Sequence, residues 1–306
     1  MRILIIETAS ISEATTIAHV RNSIEIKNYL KQRGHECYLI DVKSRIKDTK
    51  KQFDVIMFAA ATFYFDFTRI EELINNQKNC RVGWITNEFE LFANNFIKDH
   101  MTFIINNFDK AGIKKAHKYD DLLTTNLNTL MAQPRNPKVK KKYDLCYWGT
   151  YRKYRVDYFK KYFDENMLLS TSIKNIKKFQ DIGVNCFVTD KLSWKKGEES
   201  LNLVKASLYI EDTKTHKWFN YMANRFFECL FCNTALFFDQ SCINTIVKDV
   251  YWIDEYFIVG GPLELKQKIN NLDEDLLEDF LITNTERALE QKQITLKEIE
   301  RFLCQL

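Results

Sequence analysis

The chain has 306 residues, of which 45% are hydrophobic and 28% are charged, and its net charge is +4. This composition supports an ordinary soluble core, and the length predicts two domains. Only 8 Gly and 3 Pro occur, which argues against low-complexity linkers and against a sandwich of many short turns. No run of 18 apolar residues is present, so we predict no transmembrane helix and no membrane partner.

The first residues and the cysteines favour a cytoplasmic protein. Met1 leads directly into an apolar run without a basic segment or a cleavage site, so we expect no signal peptide. The eight cysteines are scattered, and the cytoplasm would keep them reduced. Cys229 and Cys232 form a C-x-x-C motif, but they lie in an apolar helical stretch without a second pair. We interpret them as buried core residues rather than zinc or redox ligands.

The charge is divided unevenly along the chain. Residues 1–142 hold 23 Lys and Arg against 16 Asp and Glu, a net charge of +7, whereas residues 143–306 carry a net charge of −3. A basic N-terminal half suits a polyanionic partner such as a nucleic acid. A solvated lysine-rich surface is the alternative interpretation of the same charge.

The N-terminal half alternates apolar runs with helical patterns. A buried strand is predicted at 2–8, followed by a polar loop and a helix at 22–33. The helix should end at Gly34, because glycine best adopts a left-handed cap. Further strands are predicted at residues 36–42, 53–61, 79–86 and 101–107. This βαβ order indicates parallel strands.

The segment 133–142, QPRNPKVKKK, is the predicted linker, since it holds two of the three prolines and five basic residues. The same pattern then restarts, with strands predicted at 143–149, 184–189, 206–212, 234–239 and 256–261, helices at 155–163 and 262–272, and a mostly helical tail from Asp273. The fold class is therefore α/β, with two doubly wound Rossmann-like domains, 1–138 and 139–306, facing a cleft. The last helix would pack back on the first domain. Ligands of such sheets bind outside the carboxyl ends of the strands.

The stretch 143–155, YDLCYWGTYRKYR, has the composition of a phosphate site. Gly149 ends a strand and allows the backbone to approach a phosphate closely. Thr150 offers a hydroxyl and an N–H group, and Arg152 and Arg155 offer guanidinium forks suited to a diphosphate. The alternative is a strand-to-helix turn that carries surface arginines.

The stretch 220–228, NYMANRFFE, places Arg225 and Glu228 three residues apart and so on one face of a helix. The carboxylate would accept hydrogen bonds from ribose hydroxyls while the guanidinium reaches a phosphate. A routine ion pair between the two side chains is the alternative. The apolar stretch that follows, CLFCNTALFFD, would set both residues at a sheet edge.

These motifs, in this order and spacing, resemble those of the GT-B glycosyltransferases, and among them the DNA β-glucosyltransferases of T-even phages. That family has a Gly-Gly-Ser-aromatic-Arg loop after a strand, a second Arg a few residues on, and Arg-x-x-Glu on a later helix. The matching stretches are the loop at 149–155 and SLYIED at 207–212 followed by Arg225 and Glu228. The resemblance covers roughly 143–272 and is weaker over 1–92. The donor-binding residues that it implies are Gly149, Thr150, Tyr151, Arg152, Arg155, Ile210, Arg225 and Glu228.

The general base does not carry over from the resemblance. The family's catalytic aspartate corresponds to Asn87, beside Glu88, and another acidic residue of the family corresponds to about Asn22. His19, in the predicted first loop, is the other candidate, because a neutral imidazole can deprotonate a hydroxyl near pH 7. A solvated loop histidine and a helix N-terminal carboxylate are the alternatives for His19 and Glu88. The next candidates are Glu90, Asp66 and Glu13.

The resemblance implies a monomeric, inverting hexosyltransferase that uses a UDP-sugar, first of all UDP-glucose, in the host cell cytoplasm of a bacteriophage. Its acceptor would be a hydroxymethylated pyrimidine in double-stranded DNA, held with help from Phe63, Tyr64 and Phe65 unless these pack in the core. No Asp-x-Asp motif stands at the expected strand end, so no metal ligand is predicted. Mg²⁺ would assist product release. Two alternatives are a transferase acting on a glycan, lipid or small molecule, and an inactive protein that binds nucleotide-sugar or DNA.

Overall fold

The structure, a computed structural model, describes residues 1–7, 9–14, 17–41, 46–59, 67–86, 99–107, 121–194, 200–211, 221–246 and 249–305. The chain divides into two compact units. The N-terminal unit comprises Met1–Met131 and Lys292–Leu306, and the C-terminal unit comprises Ala132–Gln291. Among the described residues, no helix combines the length and the hydropathy needed to cross a membrane.

The described part of the N-terminal unit holds a parallel sheet in the order β2-β1-β3-β4-β5-β6. Its strands β1 to β6 are Arg2–Glu7, Glu36–Ile40, Val55–Ala59, Arg81–Thr86, Met101–Asn106 and Asp121–Thr124. The described part of the C-terminal unit holds a second parallel sheet, in the order β12-β11-β10-β7-β8-β9. Its strands β7 to β12 are Tyr143–Trp148, Leu168–Ser170, Phe187–Thr189, Val204–Tyr209, Ala235–Asp239 and Ile258–Val259.

Helices follow most of these strands, as parallel connections require. The described helices, α1 to α8, are Ala18–Gln32, Phe67–Asn75, Val156–Tyr162, Ile173–Asp181, Asn224–Phe231, Ile243–Ile246, Pro262–Asn270 and Glu274–Cys304. Gly34 follows α1 with φ of +87°, which is the left-handed conformation predicted for its end. The α/β class with two doubly wound parallel sheets is therefore confirmed.

The N-terminal unit packs helices on both faces of its sheet through alternating side chains. In β1, Ile3 and Ile5 join a core with α1 and with Leu296, Ile299 and Leu303 of α8. The intervening Leu4 and Ile6 join a second core with α2 on the other face. Because successive strand residues point to opposite faces, a strand buried on both sides reads as one continuous apolar run. The apolar pattern thus identified the central strands.

The sequence placed several boundaries differently from the structure. Helix α1 begins at Ala18 instead of 22, so His19 lies in its first turn and not in a loop. Val20 is completely buried there, and burial of this turn outweighs its polar composition. Strand β8 has three residues and was not predicted, and β12 has only two of the six residues predicted for it. Strands this short are too brief for a hydrophobic period to be recognised in the sequence.

The predicted linker is held on the C-terminal unit. Arg135 donates two hydrogen bonds of 2.9 Å to Glu278, and the backbone N–H of Asn136 donates to the carbonyl of Phe231 at 2.9 Å. Lys141 Nζ donates to the carbonyls of Asn202 and Cys232, at 3.0 Å each. The two units therefore divide before Ala132, whereas the sequence placed the division after residue 138.

Both sheets reverse their strand order at one point. In the N-terminal unit β2 and β3 flank β1, and in the C-terminal unit β8 and β10 flank β7. Loops that leave the two neighbouring strands at such a point diverge to opposite faces and leave room for a ligand beyond the carboxyl ends of the strands. Ligand-binding residues are therefore expected after β1 in the first sheet and after β7 and β10 in the second.

Candidate functional site

The turn after β7 is built around Gly149. Its φ is +147°, a conformation that favours glycine. A Cβ atom there would lie 3.1 Å from Nη2 of Arg225, which is tighter than ordinary contacts. The turn is fixed by the backbone N–H of Gly149, which donates to Ser170, and by the Thr171 hydroxyl, which donates to the Gly149 carbonyl at 2.7 Å. Glycine thus allows the Arg225 guanidinium to reach the end of β7.

Arg225 is a buried cation with unused donors. It lies in the first turn of α5, is 7% exposed, and donates from Nη2 to the carbonyl of Trp148. Its guanidinium lies over the ring of Tyr147. Nε and Nη1 are buried and have no hydrogen-bond acceptor among the described residues. Buried polar groups are nearly always paired, so these two donors indicate a missing anionic or carbonyl partner.

Glu228 lies one turn further along α5 and is 8% exposed. Its carboxylate accepts a hydrogen bond from the indole Nε1 of Trp148. Burial raises the pKa of Glu228, and the Trp148 hydrogen bond and the charge of Arg225 only partly offset this rise. Arg225 and Glu228 therefore each bond to Trp148 and not to one another, so the simple ion pair considered from the sequence is not formed.

Arg155 is tied to the end of β10. It forms an ion pair with Glu211, which follows that strand, and donates from Nη1 to the Tyr147 hydroxyl at 3.2 Å. Tyr147 is completely buried, which alone would raise its pKa. The charges of Arg225 and Arg155 outweigh that effect and lower the pKa of Tyr147. Two arginines thus converge on one phenol at the point where the strand order reverses.

The structure brings four of the predicted donor residues together, namely Gly149, Arg155, Arg225 and Glu228. The other four differ in what they offer. Thr150 and Arg152 are exposed, Tyr151 packs its ring on Phe179 with centroids 5.3 Å apart, and Ile210 is completely buried. All of Ile210, including its backbone, is therefore covered in this structure, and the Tyr151 ring belongs to an aromatic cluster. Sequence reasoning missed Tyr147, Trp148 and Glu211, whose only signal was their position at strand ends.

The N-terminal unit has a carboxylate–imidazole pair at the carboxyl end of β1. His19 Nδ1 lies 2.9 Å from Oε1 of Glu7, and the His19 side chain is 30% exposed. Glu88, the other candidate base, lies outside the described residues, as do Asn87 and the aromatic residues 63–65. Glu13 receives the backbone N–H of Ser10 at 3.3 Å and helps to cap a short 3₁₀ turn. Of the two leading candidates, His19 and Glu88, His19 is therefore the one whose surroundings are defined.

Asn22 is also part of the buried face of α1. Its Nδ2 donates to the carbonyl of Leu127 at 3.2 Å, and its side chain is nearly completely buried. An amide takes up no proton at neutral pH, so Asn22 anchors the helix and does not replace the family's acidic residue as a base.

The basic segment that precedes β7 has two kinds of lysine. Lys141 is largely buried, and burial lowers its pKa to about 8. Its ammonium group already satisfies two backbone carbonyls, so it is not available to a polyanion. Lys140 and Lys142 are exposed. Cys229 and Cys232 are completely buried, as predicted for core residues, and the carbonyl of Cys232 is one of the two that Lys141 contacts.

Two doubly wound parallel sheets that follow one another in the chain are the arrangement of the GT-B fold of glycosyltransferases. In this chain, polar groups lie where the strand order of each sheet reverses. Solved structures with this fold resemble the chain over its whole length. The T4 phage β-glucosyltransferase BGT, in complex with UDP and Mn²⁺, has a TM-score of 0.73 and 14% sequence identity, with 99% of this chain and 100% of that chain covered.

An α-glucosyltransferase in complex with UDP has a TM-score of 0.68 and 12% identity over 99% of each chain. An α-glucosyltransferase with UDP and a 13-mer DNA containing a HMU base has a TM-score of 0.66 and 12% identity, again over 99% of each chain. No family model matches the sequence, and no curated protein is significantly similar to it. At these identities the likeness establishes a shared fold.

Proposed function

We propose that the protein is a glycosyltransferase that moves a sugar from a UDP-sugar, in the first place UDP-glucose, to a hydroxyl group on DNA. One observation carries the proposal: the buried guanidinium of Arg225, with two unused donors, faces a glycine turn at the end of β7. A diphosphate supplies the negative charge and the acceptor oxygens that such a group lacks. The resembling structures that contain UDP support the same choice of ligand.

In this proposal the C-terminal unit binds the donor. Arg225 binds the diphosphate, and the backbone N–H groups after Gly149 add further donors. Glu228 accepts hydrogen bonds from the ribose hydroxyls, and the base binds beside the end of β10, which Ile210 follows. Arg155 joins the diphosphate by exchanging Glu211 for a phosphate oxygen, while Thr150 and Arg152 contribute from the exposed side of the turn.

The reaction is a direct displacement at the anomeric carbon. His19 takes the proton of the acceptor hydroxyl, whose oxygen then forms a bond to the anomeric carbon. The bond from that carbon to the diphosphate oxygen breaks, and its electron pair leaves with UDP. Arg225 and Arg155 stabilise the negative charge that develops on the leaving group. A single displacement inverts the configuration of the sugar.

The acceptor in this proposal is a hydroxymethylated pyrimidine in double-stranded DNA. The net charge of +7 on residues 1–142 supports a polyanionic acceptor. A resembling α-glucosyltransferase was crystallised with DNA that contains a HMU base, which supports the same acceptor class. Among the described residues, no three or more His, Cys, Asp or Glu side chains are grouped to hold a metal ion.

The test measures donor binding and transfer separately. Calorimetry with UDP-glucose, GDP-glucose and ADP-glucose should give a clear preference for the uridine compound. Labelled glucose should then pass from UDP-glucose to duplex DNA containing 5-hydroxymethylcytosine or 5-hydroxymethyluracil, and not to the unmodified duplex. The coupling constant of the anomeric proton in the product reports inversion. Binding of UDP-glucose without transfer to either DNA would overturn the acceptor assignment, and the absence of any nucleotide-sugar binding would overturn the whole proposal.

A further inference from the structure

Glu7 is an acid at the end of strand β1, RILIIE, directly after four apolar residues. Its side chain is completely buried. A buried carboxylate is costly unless hydrogen bonds satisfy it, so its contacts must compensate for the loss of water. The resemblance and the proposed function give it no role.

The donors that the structure describes around the Glu7 carboxylate include a hydroxyl, a backbone N–H and an imidazole. The Ser23 hydroxyl donates to Oε2 at 2.7 Å, the backbone N–H of Ala9 donates to Oε1 at 3.3 Å, and His19 Nδ1 lies 2.9 Å from Oε1. His19 and Ser23 are four residues apart on α1, so they share one helix face. The hydroxyl and amide contacts use Glu7 as an acceptor, as an ionised carboxylate requires.

This arrangement decides the tautomer of His19. Because the carboxylate only accepts hydrogen bonds, Nδ1 of His19 must carry the proton. Nε2 of the neutral ring then holds a lone pair, which is the form that can take a proton from a hydroxyl. The pair also lies at the carboxyl end of β1, where the strand order of the sheet reverses and ligands are expected.

We propose that Glu7 is a positioning residue for His19. It holds Nδ1–H, keeps the ring in one orientation and stabilises the imidazolium that forms when Nε2 takes the acceptor proton. Glu7 itself takes up no proton, and His19 returns its extra proton to solvent after UDP has left. This inference rests on the proposed function, because it needs the acceptor hydroxyl as the source of the proton.

The first test is the tautomer itself, which requires no turnover. Nitrogen NMR of ¹⁵N-labelled protein near pH 8 should show His19 with Nδ1 protonated and Nε2 unprotonated. In Glu7→Leu no carboxylate accepts from Nδ1, so the ring should shift towards the tautomer protonated at Nε2. A parent protein whose His19 is protonated at Nε2 would overturn the inference, whatever the enzyme's activity.

The second test is single-turnover sugar transfer to hydroxymethylated duplex DNA. Glu7→Gln should slow transfer by about 10²-fold or more, because a neutral amide stabilises the imidazolium less than a carboxylate does. Affinity for UDP should stay within about twofold, and Glu7→Asp should recover part of the rate. Adding Glu7→Gln to His19→Ala should cost little more than His19→Ala alone, because the two residues act as a unit.

The control is Glu25→Gln. Glu25 lies on α1, as His19 does, and its carboxylate contacts Lys292 Nζ at 2.7 Å. This substitution should leave the transfer rate and the His19 tautomer unchanged. If the parent transfers sugar and Glu7→Gln is as fast as the parent, the role of Glu7 is structural and this inference alone fails. If the parent binds no nucleotide-sugar and transfers no sugar, the proposed function itself fails. The binding measurement thus distinguishes this outcome from a failure of the Glu7 inference alone.

Discussion

The guanidinium carbon of Arg225 lies 4.0 Å from the centroid of the Tyr147 ring. The negative face of an aromatic ring attracts a cation, so the ring holds a charge that burial would otherwise disfavour. The same guanidinium bonds to the Trp148 carbonyl, while the Trp148 indole bonds to Glu228. The last two residues of β7 therefore orient both charged residues of α5.

Replacing Arg225 by Ala should weaken UDP binding by about 1.5–3 kcal/mol, the usual contribution of a hydrogen bond to a charged group. Calorimetry measures the change directly. Arg287→Ala is the matched control, since this exposed arginine of the same unit donates to the Val250 carbonyl at 2.9 Å. Equal UDP affinity in the parent and in Arg225→Ala would show that the diphosphate binds elsewhere.

Gly149→Ala should reduce both stability and donor affinity. The φ of +147° disfavours alanine, and the new methyl group would press on the Arg225 guanidinium. We expect a loss of about 1–3 kcal/mol in the free energy of unfolding together with weaker UDP binding. Gly183→Ala separates the two effects, since Gly183 has φ of +80° but nothing within 4 Å of its would-be Cβ atom. It should lower stability alone. Loss of UDP affinity in both variants would mean that general destabilisation is the cause.

Glu278 should stabilise the protein in a defined range of pH. Its bidentate hydrogen bonds from Arg135 lower its pKa to about 2, and Lys138 adds to this effect. A carboxyl group with a lowered pKa stabilises the fold fully above its ordinary pKa of 4.5, and this contribution is lost as the pH falls towards 2.

Glu278→Gln should therefore lower the free energy of unfolding by about 0.5–1 kcal/mol near neutral pH, since the pair is partly exposed. The difference from the parent should shrink below pH 4.5 and vanish near pH 2. Chemical denaturation across this range measures it, with Glu286→Gln on the exposed side of the same helix as control. A difference that does not change with pH would show that the ion pair is not its source.

The exposed lysines before β7 should contact DNA, whereas Lys141 should not. Reversing the charge of Lys140 and Lys142 should weaken duplex binding. It should also reduce the slope of log affinity against log salt concentration by about one for each lysine, since each would lose one phosphate contact. Lys266→Glu, an exposed lysine of α7, is the control for charge alone. Lys141→Met should instead lower stability, because two carbonyls would lose their donor. Unchanged salt slopes in the Lys140 and Lys142 variants would exclude this segment from the DNA contact.

Much of the fold follows from local sequence. The apolar run of β1, the left-handed glycine after α1 and the helical periodicity of α8 each act within a few residues, so the sequence alone predicts them. The glycine–arginine loop after β7 and the Arg-x-x-Glu of α5 were likewise visible as motifs. Nothing in the sequence indicated how these two motifs contact each other.

Only the tertiary structure decided which groups meet. It brought Trp148 into contact with Glu228 and Arg225, which lie about eighty positions later in the chain. It also brought His19 to Glu7, because α1 begins at Ala18. It also bonded Lys141 to two carbonyls, although its neighbours in the basic run look the same in sequence. Hydrogen bonds and burial depend on which groups the folded chain brings together in three dimensions. Periodicity reports only the face on which each side chain lies.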